Sequence, residues 1–355
     1  MNGMSLFSGA GIGEFYLSRI GINIVVANEI ISRRAELYRN IYPNTTMIEG
    51  DIRDPIIFEN IAKIALENKV DYLIASPPCQ GISIAGKNRG IFEMANDQRN
   101  YLIKYVVKMI KVVKPKFILI ENVPRLLKLQ LYINKDFKSV EDLLEEEFKN
   151  SYDIDCRVLD ASDYDVPQVR KRAIIRLKQK GLIWELPEKS NKKITVQDAI
   201  GDLPSIESGE RSNIKWHFGR MHSEEHIQWM KNTPTGATAF DNKVYFPQKK
   251  DGTRIKGYNT TYRRINWNEP APTITIRNDA ISSQRNVHPG RKLEDGTYSD
   301  ARVLSILELM RLTTLPDDWP INEETDEILI RQVIGESIPP LFVEKISRGI
   351  FIDEN

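Results

Sequence analysis

The tetrapeptide Pro77-Pro78-Cys79-Gln80 presents a cysteine where an enzyme could use it as a nucleophile. The apolar run before it, residues 70–75, predicts a buried strand that ends in a turn. Because two prolines restrict the backbone ahead of the thiol, we expect Cys79 on a stiff loop at the carboxyl end of a strand. Open α/β sheets bind ligands at that edge. Taken alone, Cys79 fits a buried structural thiol equally well.

A carboxylate ends a second apolar segment. Residues 117–122 predict another strand, with Glu121 near its carboxyl end and one crossover from Cys79. A partly desolvated carboxylate at that position can share a proton with a ring nitrogen near neutral pH. Glu121 is therefore a candidate for acid–base chemistry beside the thiol.

Two arginines precede the strand predicted over residues 173–177. In the segment 168–172, the two-residue period of a strand places Gln168, Arg170 and Arg172 on one face. Two fixed guanidinium groups on one face suit a phosphate or a base carbonyl. A solvated strand face is an equally good interpretation of this pattern alone.

A glycine-rich turn follows the first predicted strand. Gly9, Gly11 and Gly13 allow a tight turn and a close approach of the backbone to a ligand. The spacing misses the dinucleotide fingerprint Gly-x-Gly-x-x-Gly by one position, which disfavours a nicotinamide dehydrogenase.

Acidic residues end the next two predicted strands. Glu29 is placed to bind a ribose diol through both carboxylate oxygens. Asp51 could accept a hydrogen bond from an adenine amine while Ile52 packs on the ring. Each acid alone fits an ordinary strand end, but successive strand ends with suitable groups predict an adenosine site.

The elements that must position these groups alternate along the first half of the chain. Strands are predicted near residues 5–7, 22–29, 47–52, 70–75, 117–122 and 173–177, with a helix over 98–113. Helix-length connections imply parallel strands, so we predict an α/β fold with a doubly wound, mostly parallel sheet. Beyond residue 181 the sequence contains only short apolar segments and more Gly, Pro, Asn and Thr. We predict one domain from 1–180 plus 327–355, and a second, smaller, mainly β and loop domain from 181–326.

Charge divides the chain although its net charge is only +1. The segment from Asp165 to Asp300 has 24 Lys and Arg against 16 Asp and Glu, a balance of +8 that leaves −7 for the remainder. Such asymmetry fits a polyanion-binding module attached to a catalytic domain, and a solvated basic face fits it equally well.

Composition narrows the class of protein. Two cysteines, Cys79 and Cys156, predict a reducing compartment and no disulfide framework, and Cys156 lies in a strand-like stretch that predicts a core position. We find neither an apolar stretch of about 18 residues nor a signal peptide, so a soluble, cytoplasmic protein is expected. His222 and His226 are four residues apart, but without a third ligand they predict no metal site.

These motifs together resemble those of the cytosine-5 DNA methyltransferases, and the chain is similar to a bacterial member over nearly its full length. In the family's order it contains FSGAGIG, NE, GDI, PPCQ, ENV, QVRKR, RRINWNEPAPTIT and GESIPP. PPCQ followed by ENV and Q-x-R-x-R is a highly specific combination. The chain departs from the family at Ser5, where an acid is common, and at Glu336, where Asn is common.

The resemblance implies methyl transfer to carbon 5 of a cytosine flipped out of double-stranded DNA. Cys79 would be the nucleophile, Glu121 would contact the ring nitrogen and exocyclic amine, and Arg172 would contact the base, with Arg170 nearby. The segment of about 177–262 would be the variable target-recognition region, and Arg264, with the Pro-Thr-Ile run that ends near residue 274, would organise that domain.

The resemblance also implies the ligand contacts, and no metal is required. The predicted S-adenosyl-L-methionine site comprises Phe7, Ser8, Gly9, Ala10, Gly11, Ile12, Glu29, Ile30, Asp51, Ile52, Pro78 and Ser337. The predicted DNA contacts are Gln80, Gln168, Arg263, Arg264 and Thr273.

Other functions remain open at this point. Relatives on the same scaffold modify transfer RNA with the same thiol, and a catalytically inactive DNA-binding relative is a further alternative. The long basic insert favours DNA, and the intact Cys79, Glu121 and Arg172 favour an enzyme. By family analogy we expect a restriction-modification system with a cognate endonuclease that acts independently. We expect a monomer, because asymmetric binding of DNA in a cleft needs no partner subunit.

Overall fold

The computed structural model describes residues 1–78, 97–133 and 135–351. They form two compact units. Unit 1 contains residues 1–160, 171–188 and the described residues from 343 on, and unit 2 contains 161–170 and 189–342. The predicted domains divide the chain at other residues, since 161–170 and 327–342 belong to unit 2. The functional assignment of the two domains stays a prediction.

The strands and helices have the following bounds. The strands are β1 Asn2–Leu6, β2 Asn23–Glu29, β3 Thr46–Glu49, β4 Tyr72–Ala75, β5 Phe117–Asn122, β6 Gln130–Ile133, β7 Asp136–Ser139, β8 Tyr152–Asp160, β9 Lys171–Gln179, β10 Ile183–Trp184 and β11 Ile350–Phe351. The α-helices are α1 Ser32–Ile41, α2 Pro55–Glu67, α3 Ile103–Val113, α4 Val140–Phe148, α5 Val196–Ile200, α6 Glu224–Lys231, α7 Ile306–Leu312, α8 Glu327–Glu336 and α9 Pro340–Ser347. Short 3₁₀ helices span Ile12–Glu14, Leu17–Ile20, Gln98–Leu102, Pro124–Lys128, Ala161–Asp163 and Ala239–Asp241.

Unit 1 is built on a seven-stranded sheet in the order β3-β2-β1-β4-β5-β9-β8. The first five strands in this order are parallel, and β9 and β8 are antiparallel to their neighbours. The mostly parallel α/β sheet predicted from the sequence is confirmed. Helix-length connections between successive parallel strands require this arrangement.

Both faces of this sheet are covered, because alternate strand residues point to opposite sides. Leu73 and Ile118 pack in one core with buried residues of α2, α3 and α4. On the opposite face the Phe117 ring lies edge-on to Trp184, and the Tyr72 hydroxyl lies 2.8 Å from the Ser347 hydroxyl of α9. The sheet is therefore doubly wound, as expected.

Unit 2 has little regular β structure. Its β pairing, among the residues described, consists of isolated bridges such as Arg264–Val287 and Thr261–Gln284, where the sequence predicted short strands. Trp229 and Met230 of α6 pack in one core with buried loop residues such as Val287 and Val303. Gly, Pro and Asn favour turns over strands, which explains the difference.

The first connection of unit 1 also differs from its prediction. The helical pattern after β1 forms two 3₁₀ helices separated by Phe15 and Tyr16, and the predicted 98–113 helix begins with a 3₁₀ turn before α3. Gly11 and Gly21 adopt left-handed conformations at the start of the first 3₁₀ helix and the end of the second. These glycines limit helical growth because each reverses the chain direction.

Candidate active site

The glycine loop and the strand-end carboxylates predicted for the site lie at one edge of the unit 1 sheet. The last residue of β1, Leu6, pairs with Asn28 on one side and with Ala75 on the other. Glu29 and Glu49 are partners at the ends of β2 and β3. Since these strands are parallel, the glycine loop, Glu29 and the start of the Pro-Pro turn all follow carboxyl ends at this edge.

The glycine loop is held in an unusual backbone conformation. Phe7, Gly9 and Gly11 have φ angles of 58°, 57° and 72°. A left-handed conformation costs a non-glycine residue such as Phe7 about 1–2 kcal/mol. Glu29 supports the loop, since its carboxylate accepts the Gly9 N–H at 2.8 Å and the Ile31 N–H at 2.8 Å.

Apolar and polar groups adjoin this carboxylate. Ile30 is 56% exposed directly after Glu29, and the Phe7 side chain is half-buried. The Asn28 amide fixes the neighbouring β3 end, because it donates to the carbonyls of Ile48 at 2.9 Å and Gly50 at 3.0 Å. The edge thus offers a carboxylate between a rigid loop and an exposed apolar side chain.

Other residues predicted to bind the cofactor are buried in the core or paired with a neighbouring side chain. Ala10, Ile12 and Ile52 are buried, and Ile52 belongs to the sheet's main core. The contact of Ile52 with an adenine stays a prediction. The Asp51 carboxylate is bound by Arg53, with the closest pair of atoms, Oδ2 and Nη2, 2.6 Å apart. This ion pair lowers the pKa of Asp51.

A buried polar cluster lies under the glycine loop. Ser8 donates from Oγ to Ser5 Oγ at 2.8 Å, and Ser5 Oγ donates to the Glu14 carboxylate. The Tyr38 hydroxyl donates to the other Glu14 oxygen at 2.6 Å. The Tyr42 hydroxyl donates to the carbonyl of Gly11 at 2.6 Å. Burial raises the pKa of Glu14 to about 7.

Glu121 and Arg172 meet on neighbouring strands, β5 and β9. Glu121 pairs with Ile174 across the antiparallel ladder, and Arg172 lies two residues before Ile174 on the same face. The Arg172 Nε lies 2.7 Å from Glu121 Oε1, and both side chains are about nine-tenths buried. The structure therefore brings together the carboxylate and the guanidinium that the sequence predicted for the site.

The start of the Pro-Pro turn is fastened to β5. The Asn122 side chain donates to the carbonyl of Pro77 at 2.7 Å in a buried contact, and Pro78 is half-buried. Cys79 and Gln80 lie outside the described residues. The second cysteine, Cys156, is on β8, where burial raises the pKa of its thiol to about 12. Cys156 is thus inert near neutral pH.

Gln168 and Arg170 have buried positions in unit 2, whereas Arg172 belongs to unit 1. Arg170 donates to the carbonyls of Ile274 at 2.7 Å and Gly335 at 3.0 Å, and Gln168 Oε1 accepts the Ile274 N–H at 3.2 Å. The shared strand face predicted for the three residues is not formed, because β9 begins only at Lys171. Contacts of Arg170 and Gln168 with the target stay predictions, and in this conformation both side chains serve the backbone of unit 2.

Arg264 is the hub of unit 2. Its buried guanidinium donates to the carbonyls of Met230 at 2.9 Å, His288 at 2.8 Å and Ser299 at 2.9 Å. Burial lowers the pKa of Arg264 to about 10. These contacts fit the organising role that the resemblance implies, while the predicted DNA contact of Arg264 stays untested.

The remaining predicted contacts also lie in unit 2. Arg263 is half-exposed, with Nη1 3.2 Å from the Asn259 carbonyl, and the Thr273 hydroxyl donates to the Val169 carbonyl at 2.7 Å. Ser337, predicted for the cofactor site, donates from its hydroxyl to the Ile334 carbonyl at the end of α8.

The histidines near α6 have structural contacts. His222 Nε2 accepts the Val303 N–H at 3.3 Å, and burial lowers the pKa of His222 to about 4. His226 stacks on Trp229 with ring centroids 5.0 Å apart. Throughout the described part of the chain, no group of three or more His, Cys, Asp or Glu residues could hold a metal ion. None of the described helices is long and apolar enough to cross a membrane.

Sequence reasoning missed Glu14, Tyr38 and Tyr42. A charged residue directly after a glycine turn, in an otherwise apolar run, was the available signal for Glu14. The tyrosines carry no such signal, because α1 places them under the loop only in the folded chain.

The sequence and the fold of this chain are similar to those of known proteins. A model of the family described as C-5 cytosine-specific DNA methylase matches residues 1–351. The chain is 64% identical, over 98% of both chains, to the type II methyltransferase M1.HgaI of Avibacterium volantium. It is 30% identical to M1.HphI of Haemophilus parahaemolyticus, over 98% of this chain and 86% of that one. A crystal structure titled as a DNA modification methyltransferase from an E. coli prophage superposes with a TM-score of 0.69 at 22% identity over 98% of both chains, which shows the shared fold.

Proposed function

Since the chain belongs to the C-5 cytosine-specific DNA methylase family and is therefore a DNA cytosine-5 methyltransferase, we propose that Cys79 is its nucleophile, S-adenosyl-L-methionine its methyl donor and a specific double-stranded DNA sequence its substrate. The observation that carries the proposal is the buried Glu121–Arg172 pair, beside a Pro-Pro turn that Asn122 fastens to the same strand. The pair supplies a fixed carboxylate where a flipped cytosine would need one.

The glycine-loop edge fits the donor. Each Glu29 oxygen accepts one backbone N–H and keeps a second lone-pair direction, which suits the two hydroxyls of a ribose. Ile30 and Phe7 offer apolar surface for an adenine, and the left-handed turns at Gly9 and Gly11 let the backbone approach the ligand. Asp51, Pro78 and Ser337 remain further proposed contacts. When bound, S-adenosyl-L-methionine supplies an electrophilic methyl group.

The proposed residues prepare the cytosine to accept that methyl. The Cys79 thiolate adds to carbon 6, which makes carbon 5 nucleophilic. Glu121 in its protonated form donates a hydrogen bond to the ring nitrogen and passes its proton there as negative charge develops, and it takes the proton back when the ring is restored. After carbon 5 is methylated it loses its proton, and the electron pair expels the thiolate to restore the ring. Arg172 holds Glu121 Oε1, which leaves Oε2 for the base.

We propose that unit 2 contacts the DNA, through the half-exposed Arg263 and through a segment with exposed lysines. The segment 247–255, termed the basic finger, turns back on itself: Lys249 N–H donates to the Thr253 carbonyl at 2.9 Å, and Ile255 N–H donates to the Pro247 carbonyl at 2.9 Å. Lys249 and Lys250 are exposed at its tip. A hydrogen-bonded turn that carries exposed lysines suits contacts with the phosphate backbone of a duplex.

The relatives' names suggest the biological setting. M1.HgaI and M1.HphI are both named type II methyltransferases, so we propose that this chain protects DNA in a restriction-modification system beside an endonuclease that acts independently. The proposed enzyme is a monomer that works in the cytoplasm, where its DNA substrate would be.

Transfer of labelled methyl from S-adenosyl-L-methionine tests the proposal. Unmethylated bacterial DNA and transfer RNA are incubated in parallel, and the labelled base is identified. We expect 5-methylcytosine in DNA alone. Cys79→Ser should abolish transfer and keep DNA binding, whereas the matched control Cys156→Ser should keep transfer, because the Cys156 thiol is buried and protonated.

Each other outcome points elsewhere. Label in transfer RNA alone would favour the RNA methyltransferase alternative, which rests on the shared scaffold. Folded protein that binds DNA without labelling it would favour the inactive relative. Full activity in Cys79→Ser would contradict the proposed nucleophile.

A further inference from the structure

Glu14 is a buried carboxylate that serves no step of the proposed reaction. It lies in the 3₁₀ helix that follows the glycine loop, and it accepts hydrogen bonds from the hydroxyls of Ser5 on β1 and Tyr38 on α1. An isolated carboxylate is unstable in such a position unless donors satisfy it. This arrangement connects the carboxylate to the loop through two routes.

The first route is a chain of hydroxyl groups. Ser8, in the loop itself, donates to Ser5 Oγ at 2.8 Å, and Ser5 donates onward to Glu14. The second route is the backbone, because Glu14 N–H donates to the Gly11 carbonyl at 3.1 Å. Tyr38 and Tyr42 also enclose Gly11, where an added Cβ would lie 2.4 Å from the Tyr42 ring.

We propose that Glu14 is a positioning residue for the cofactor-binding glycine loop and that it acts through the hydroxyl relay from Ser5 to Ser8. The inference rests on the proposed cofactor site. With Glu14 ionised, both of its oxygens accept, so the Ser5 and Ser8 protons all point toward the carboxylate. The outward side of Ser8 then presents lone pairs.

Protonation of Glu14 changes this order. One carboxyl oxygen becomes a donor, so the contact with Ser5 or with Tyr38 must reverse or break. Reversal along the relay turns the Ser8 proton outward and loosens the loop. Cofactor binding should therefore be tightest with Glu14 ionised.

The surrounding groups allow this switch near neutral pH. Burial raises the pKa of Glu14 to about 7. The titratable groups that face it are Tyr38 of α1, Tyr42 directly after α1 and Tyr72 of β4, and burial raises the pKa of each above its ordinary value. The tyrosines stay protonated throughout the neutral range, so Glu14 is the group among them that changes charge.

Calorimetric titration of S-adenosyl-L-methionine into the full chain tests the relay. As the pH falls from about 8 to about 6, we expect Kd to rise about tenfold, because the ionised fraction of a group with a pKa near 7 falls by that factor. Glu14→Gln keeps one acceptor and gains an amide donor, so it should bind weakly at every pH. Ser5→Ala should also bind weakly and without pH dependence, since it cuts the relay.

Tyr42→Phe is the matched control. It removes a contact to the loop that is made directly after α1 but leaves the relay intact, so the affinity for S-adenosyl-L-methionine should fall while the pH dependence persists. A merely structural Glu14 would give parallel losses in all variants with no change in pH profile. That result, or a Kd of the wild type that does not vary with pH, would overturn the proposal.

A second measurement separates the relay from the identity of the cofactor. In ligand-free protein labelled with ¹⁵N-glycine, the resonances of Gly9 and Gly11 should titrate near pH 7 and lose that titration in Glu14→Gln. Loop titration without any binding of S-adenosyl-L-methionine would support the relay and contradict the proposed cofactor. Absence of the titration would contradict the relay whatever the protein binds.

Discussion

At the scale of single residues, the proposed reaction depends on which carboxylate, Glu121 or Glu29, can contact the cytosine. Glu121 lies in a strand whose six residues are all buried, so its backbone is fixed, and Arg172 fixes its side chain from the neighbouring strand. A preorganised group of this kind needs no reorientation during the reaction. Glu29 differs, because its two oxygens each accept one backbone N–H, from Gly9 of the loop and from Ile31 directly after β2.

Glu121→Gln tests this assignment. The amide keeps the shape of the side chain and can donate a hydrogen bond, but it cannot transfer a proton to the ring nitrogen as a carboxyl group does. We expect kcat for methyl transfer to fall by about 10²–10⁴-fold, while the Kd for S-adenosyl-L-methionine stays unchanged. Single-turnover transfer to a DNA substrate gives the rate.

The control for this substitution is Glu67→Gln, an exposed carboxylate at the end of α2. It should keep the wild-type rate. A Glu121→Gln enzyme within about twofold of the wild type would remove Glu121 from the catalytic role.

At the scale of elements, the buried strands could be predicted and the loop-rich parts could not. The predicted bounds of β5 agree with the structure residue for residue, because the apolar run between Pro115 and Pro124 is too short for a buried helix. The edge of the sheet followed from parallel connections alone, and with it the placement of Glu29 and the Pro-Pro turn. Glu121 and Arg172 were predicted as separate groups, and only the antiparallel pairing of β5 with β9 joins them.

The contacts of two buried arginines could not be predicted from the sequence. Arg170 and Arg264 have the residue type and the sequence surroundings of anion contacts, yet both donate to buried carbonyl groups of unit 2. A guanidinium has five donors, which serve phosphate oxygens and unpaired loop carbonyls equally well. A single sequence does not show which acceptor is present, because loop carbonyls come together only on folding.

The basic finger gives a prediction at this scale. Arg254 anchors its base, with its guanidinium 3.5 Å from the centre of the Phe246 ring and Nη1 2.6 Å from the Phe240 carbonyl. The fold of the finger therefore does not depend on the exposed Lys249 and Lys250. In Lys249→Ala with Lys250→Ala, we expect weaker DNA binding at low salt and a plot of log K against log salt that is about 2 units less steep.

Fluorescence anisotropy with a duplex oligonucleotide over a range of salt concentrations measures both quantities. The matched control replaces two exposed lysines of unit 1, Lys63 and Lys149, by alanine. It has the same loss of charge, so an equal effect would show that net charge acts and that the finger makes no phosphate contact.

At the scale of the whole molecule, the two units bury ionisable groups with opposite responses to acid. In unit 2, burial lowers the pKa of His288 to about 4, and its Nδ1 accepts the Gly290 N–H at 3.1 Å, so the ring is neutral there. His222 is shifted in the same direction. In unit 1, burial raises the pKa of Glu14 to about 7. Unit 1 and unit 2 therefore differ in how their stability depends on pH.

The two units should therefore separate in stability as the pH falls. Between pH 6.5 and pH 4 the unfolded state binds a proton at His288 that the folded state does not, so unit 2 loses stability on acidification. Between pH 7 and pH 4.5 the folded state binds the proton at Glu14, so unit 1 gains stability over nearly the same window. At about pH 5 each effect amounts to about 2 kcal/mol.

Scanning calorimetry from about pH 7.5 to about pH 5 should show the melting profile broaden or split, with unit 2 melting first. In Trp184→Phe, tryptophan fluorescence reports unit 2 alone, because the remaining tryptophans, Trp216, Trp229, Trp267 and Trp319, all belong to it. His288→Gln should raise the acid stability of unit 2, and Glu14→Gln should abolish the gain of unit 1. A single transition that moves as one at every pH would contradict independent proton linkage, because opposite shifts in two units cannot leave one sharp transition unless the units unfold together.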